Sequence, residues 1–129
     1  MKFTESNGVL LSKFNYEELH VSTDESKGFK PLELLISSIV GCITPLLCYN
    51  LSQKDIDFSE IEADVEVKRD DKKHNKVEKI HIHFLIKGCN LNVEHIESSI
   101  QYAKDNCDTV QSLTNSIKIT ETYELIWMC

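Results

Sequence analysis

A chain of 129 residues is long enough to bury a real core and falls in the size range of one domain, so residues 1–129 are expected to form a single unit. Its formal charge of −7 excludes the basic surface that non-specific nucleic-acid binding requires. No positively charged start leads into an apolar stretch, so a cytoplasmic location is expected, and five cysteines without a Cys-x-x-Cys then read as free thiols rather than a disulfide framework.

Lys2-Phe3-Thr4 and Val9-Leu10-Leu11 are short apolar patches separated by Ser6-Asn7-Gly8, a turn signal. A second turn at Asn15-Tyr16-Glu17-Glu18 precedes Leu19-His20-Val21, which completes a small β-meander. Thr23 to Lys30 is polar, carries Gly28 and reads as a loop. From Phe29 to Gln53 the character changes: between Pro31 and Leu51 the one charged residue is Glu33. A run of that length forms a helix of about six turns and roughly 30 Å, and Pro31 suits its first turn, where a missing N–H costs nothing. Ser37, Ser38, Gly41, Thr44, Pro45 and Glu33 dilute the run, and no aromatic or basic flank marks a membrane span, so a central helix of a water-soluble protein is expected. Cys42 stands at its middle. Pro45 lies inside it and removes the hydrogen bond to the carbonyl of Gly41.

From Phe58 the apolar period becomes two. Ile61, Ala63, Val65 and Val67 alternate with acidic residues, Arg69 to Lys76 is a charged connection, and Ile80, Ile82, Phe84 and Ile86 share one face of a partner strand. His81 and His83 lie on the other face; without a third ligand at motif spacing they read as a solvated sheet face, and no metal is expected. Asn92 is a plausible N-cap with Glu94 in the first turn, and Val93, Ile96, Ile100, Ala103 and Cys107 form one helical stripe that brings Cys107 to a buried face. Asp108 to Asn115 continues as a turn or short helix anchored by Val110 and Leu113. The last strand puts Ile117, Ile119, Tyr123, Leu125 and Trp127 on one face, interrupted by Glu121, which marks an edge or bend there or, failing that, a buried partner for a lysine. Cys48, six residues after Cys42 and on another side of the helix, reads as a packing residue, and Cys89 and Cys129 read as incidental thiols.

The order β-β-β-α-β-β-α-β is that of an α+β domain. One sheet covers only one side of a helix that is apolar all round, and the small surface of Ser37, Ser38, Gly41, Thr44 and Cys48 admits another backbone closely, so a homodimer is expected.

The opening Pro31-Leu32-Glu33-Leu34-Leu35, the Gly41-Cys42 pair and the striped helix ending at Cys107 resemble the OsmC/Ohr family of thiol peroxidases, and most of all its shorter OsmC-like subgroup. The resemblance implies antiparallel sheets wrapped around long central helices in an intertwined homodimer. It also implies a peroxidase reducing organic hydroperoxides with no cofactor. Cys42 would be the peroxidatic thiol, Cys107 the resolving thiol that closes a Cys42–Cys107 disulfide, Glu33 the acidic residue of the site, and a dithiol the reductant. The alternative is a non-enzymatic dimer of the same fold that binds apolar small molecules. Two departures bear on the choice. The family's peroxidases activate the thiol with an arginine from the N-terminal half, paired with a glutamate, whereas the one arginine here is Arg69, leaving Lys27 or Lys30 as substitute cations. Those peroxidases place the acid ten residues before the cysteine, where this chain has Leu32, and Glu33 stands nine before Cys42.

Overall fold

A computed structural model describes residues 1–129. The chain divides into two compact units, Met1–Ser38 and Ile39–Cys129.

In the first unit, strands β1 (Thr4–Ser6), β2 (Val9–Lys13) and β3 (Glu18–Val21) form an antiparallel meander in that order. The turn between β1 and β2 is the Asn7-Gly8 pair, both in the left-handed region at φ 52° and 82°, as a two-residue hairpin turn demands. Glu5 accepts a bond from the Gly8 N–H at 2.9 Å and closes it. The meander and the loop of residues 22–30 are the elements the residue pattern leads one to expect. The hydroxyls buried here are satisfied: Ser12 donates to the carbonyl of Lys2 and Ser22 to that of Gly8.

Helix α1 (Pro31–Gln53) opens in the first unit and continues through the second. It is long and apolar enough to cross a membrane by length and composition alone. In the second unit it presents Ile39, Ile43, Leu47 and Leu51, four apart and each fully buried, as one stripe. Strand β4 (Asp57–Asp70) pairs antiparallel with β5 (Lys76–Cys89) through a short 3-10 turn at Asp71–Lys73. The strands run further into the charged connection than its composition suggests, because a two-stranded ribbon extends without needing a buried face. Helix α2 (Val93–Asn106) and helix α3 (Asp108–Leu113) lead to β6 (Lys118–Trp127). The core of this unit joins the α1 stripe to Ile80, Ile82, Phe84 and Ile86 of β5 and to Ile96, Ile100 and Ala103 of α2.

Two expectations are corrected here. The sheet β4-β5-β6 is not wholly antiparallel: β6 runs parallel to β5, from Lys79 beside Lys118 to Gly88 beside Trp127. The two helices between them supply the long crossover that a parallel return requires. Nor are Cys89 and Cys129 incidental thiols, for they form a disulfide with Cα atoms 4.9 Å apart, inside the range a bridge allows. The parallel register brings them together: Trp127 lies beside Gly88, Met128 donates its N–H to the Gly88 carbonyl at 2.8 Å, and the next residue meets Cys89. Gly88 itself admits no side chain, since a Cβ there would lie 2.3 Å from the carbonyl oxygen of Asp57. Glu121 stands on β6, an edge strand of this sheet, and also has the lysine partner that the sequence offered as the alternative. It is almost buried, with Lys104 Nζ 3.3 Å from its carboxylate while the same ammonium donates to the Ile119 carbonyl at 2.8 Å.

Candidate active site

The site is built by two helices that a polar clasp holds in antiparallel register. Lys54, just past the end of α1, donates to the hydroxyls of Ser98 and Ser99 at 2.5 and 3.1 Å and to the carbonyl of His95 at 3.4 Å. Ser99 in turn donates to Asn50 Oδ1 at 2.8 Å. From that Asn50–Ser99 contact, eight residues back along α1 is Cys42 (50 − 8) and eight residues forward along α2 is Cys107 (99 + 8). Eight residues are a little over two turns and about 12 Å of rise, so both steps travel the same distance and turn by the same angle, about 80° past two full turns. The equality carries the two thiols to one place.

Cys107 sits at a junction. It follows the last residue of α2 and is the N-cap of α3, with extended backbone at φ −86° and ψ 107°. Its sulfur accepts the Val110 N–H at 3.4 Å, a bond that would otherwise be missing at a buried helix start. Cys107 is fully buried. Burial first and a hydrogen bond with Cys42 second push its thiol up to about 11, against a smaller opposing effect of the Val110 N–H. At neutral pH it is therefore a protonated thiol beside Cys42. Both sulfurs are free.

Cys42 is half-buried, one position off the Ile43 stripe. Its Sγ donates to Asp108 Oδ1 at 3.6 Å, a separation suited to the larger radius of sulfur. Asp108 opens α3, so the residue that follows Cys107 returns its carboxylate to the partner cysteine. Residue-by-residue reading passed over Asp108; an acid directly after a striped cysteine was the signal available. Cys48 is a free thiol raised by burial, as packing requires.

Glu33 occupies the first turn of α1, in the first unit, where its carboxylate accepts the Lys30 N–H at 3.1 Å and lines a pocket of about 460 Å³ with Glu25, Gly28 and Phe29. Lys30 pairs with Glu25 at 3.1 Å, and Lys27 reaches the Asn7 carbonyl at 3.5 Å. Arg69 is exposed near the end of β4 and forms no ion pair. His81 bonds Thr120 and Thr122 through its two ring nitrogens at 2.6 and 2.8 Å, and His83 bonds Thr122 at 2.7 Å. The two imidazoles thus spend their ring nitrogens on the neighbouring strand, and no group of three or more His, Cys, Asp or Glu is arranged around a metal position.

The sequence matches the family described as OsmC-like protein over residues 23–122. No curated protein matches it. Among solved structures it is similar to a hypothetical protein from Aquifex aeolicus VF5, at 21% identity over 99% of this chain and 96% of that one, with a TM-score of 0.88. It is similar also to the OsmC-like protein of Mycoplasma pneumoniae, at 17% identity, 97% and 96% coverage and a TM-score of 0.81. The organic hydroperoxide resistance protein OhrB of Bacillus subtilis follows at 13% identity, 95% of each chain and a TM-score of 0.66. At such identities the likeness is one of fold.

Proposed function

The chain belongs to the OsmC-like protein family, and on that premise we propose that it is a cysteine-based peroxidase that reduces organic hydroperoxides through Cys42 and Cys107. The observation that carries the reading is the meeting of two free thiols, one half-buried and one fully buried, at the end of a clasp that holds α1 against α2. The chemistry needs little else. Cys42 Sγ attacks the terminal peroxide oxygen, an S–O bond forms as the O–O bond breaks, and the thiol proton leaves with the alkoxide as an alcohol. The sulfur has lost two electrons to the peroxide and stands as a sulfenic acid. Cys107 Sγ then attacks that sulfur; an S–S bond forms, the S–O bond breaks, and the Cys107 proton leaves with hydroxide as water. A dithiol reductant returns both thiols by exchange. No metal or organic cofactor enters. Glu33 serves as a positioning residue that orders the start of α1 through the Lys30 N–H.

The same reading includes a cytoplasmic homodimer intertwined through α1. Leu35, Ile36, Val40 and Leu46 remain partly uncovered on that helix, and a Cβ on Gly41 would meet nothing within 4 Å. A second copy laid on this face removes apolar surface from water at about 25 cal/mol per Å².

One equivalent of cumene hydroperoxide tests the reading. Reduced protein should form an intramolecular Cys42–Cys107 disulfide, mapped by peptide mass spectrometry. Cys42→Ser should consume no peroxide, and Cys107→Ser should accumulate Cys42 sulfenic and higher acids. Wild-type protein that leaves organic hydroperoxide untouched at every pH would replace the enzyme with a non-enzymatic binder of apolar small molecules.

A further inference from the structure

We propose that Asp108 is the general acid–base group of the site, taking the proton from the Cys42 thiol as sulfur attacks and returning it to the departing alkoxide. The inference rests on the peroxidase reading and names the group that moves the proton in its first step. Three observations carry it. Asp108 Oδ1 is the acceptor of the Cys42 S–H at 3.6 Å, so it touches the reacting atom. The carboxylate has no competing structural duty: the α3 start is capped by the Cys107 sulfur, and no ion pair engages Asp108. Finally, Lys27 and Lys30 have partners of their own in the other unit, and Arg69 forms no ion pair and is exposed.

An acceptor already hydrogen-bonded to the Cys42 S–H is placed to take the proton during the attack. The balance is complete within the pair. The S–O bond forms, the O–O bond breaks, the proton passes from Sγ to Oδ1 and from Oδ1 to the alkoxide oxygen. Asp108 ends the step as the carboxylate it began as, with two electrons transferred from sulfur to peroxide.

The test is Asp108→Asn, which keeps the shape and an oxygen acceptor but not the base. Single-turnover oxidation of Cys42 by cumene hydroperoxide should slow by about 100-fold or more, the usual size of a positioned acid–base group. Alkylation of Cys42 by iodoacetamide, which needs the base but no leaving-group proton, should slow clearly less than peroxide reduction in the same variant. Were Asp108 only a repulsive neighbour, its removal would leave peroxide reduction unchanged or accelerate it, and the proposal would be wrong. A fall of both rates by the same factor would also overturn it, since return of the proton to the alkoxide would then contribute nothing. If Asp108→Asn does not fold, Asp108→Ala carries the test: added formate should raise its rate in proportion to concentration, and indifference to formate refutes the role. Active wild type with an unimpaired Asp108→Asn sinks this proposal alone. Wild type that leaves both peroxide and Cys42 unchanged sinks the peroxidase reading with it.

Discussion

Raising the pH should unfold this protein partly through one buried thiol. Cys107 is fully buried, and its thiol is pushed up to about 11 by burial first and by its hydrogen bond with Cys42 second. In the unfolded chain it titrates near the ordinary thiol value of about 8.5. Below that value both states hold the proton, and the native advantage is complete. Above it the unfolded chain loses the proton first, so stability falls as pH rises toward the folded value near 11. About two and a half units at about 1.4 kcal/mol each bound the loss at about 3.5 kcal/mol. The assay is urea unfolding of wild type and Cys107→Ala from pH 7 to 10.5 in anaerobic buffer. The variant carries a pH-independent cavity cost, so the gap between the two should narrow steadily above pH 8.5. A gap that stays constant over this range would show that Cys107 titrates normally in the folded chain. The functional counterpart is a resolving step that quickens about tenfold per pH unit between 7 and 9, followed as decay of the Cys42 sulfenic acid.

Other consequences can be checked on the same preparations. Cys129→Ser opens the Cys89–Cys129 bridge, whose span of 40 residues corresponds to a chain-entropy contribution on the order of 4 kcal/mol; urea unfolding should show most of that loss, and a neutral result would mean that the Met128 contact alone holds the tail. Phe84→Ala removes a fully buried ring from the middle of β5 and should cost about 3–5 kcal/mol by the same measurement. Glu121, raised by burial against the pull of Lys104, loses native stability as pH rises from its unfolded value of about 4.3 through the higher folded value; Glu121→Gln should remove that slope between pH 4 and 7, and an unchanged slope would assign it to other carboxylates. Sedimentation at micromolar concentration should show a dimer, and a monomer would refute the covering of α1 by a second copy.

Much of the architecture was legible before any coordinates. Periods of two on β5 and three-to-four on α2 named the buried residues Ile80, Ile82, Phe84, Ile86, Ile96 and Ile100, because local geometry alone puts such spacings on one face, whereas α1 read as apolar all round and only the fold picks out its stripe of Ile39, Ile43, Leu47 and Leu51. Asn92 capped its helix as its side chain predicts, accepting the His95 N–H at 3.1 Å. The Asn7-Gly8 turn was equally local.

What escaped the sequence depended on which element lies beside which. Glu121 looked like a break in a strand because Lys104, its counter-charge, comes from another element. Cys89 and Cys129 looked incidental because they become neighbours only once β6 returns parallel to β5, and periodicity carries no strand direction. Asp108 went unnoticed because its significance is the distance to Cys42, 66 residues away. The sequence by itself determined the elements, the buried faces of β5 and α2 and the two thiols of interest, since these follow from backbone geometry and the cost of exposing apolar side chains. The tertiary structure alone decided the strand order, the disulfide and the carboxylate at the thiol, since each is a contact between segments whose separation along the chain leaves no trace in local pattern.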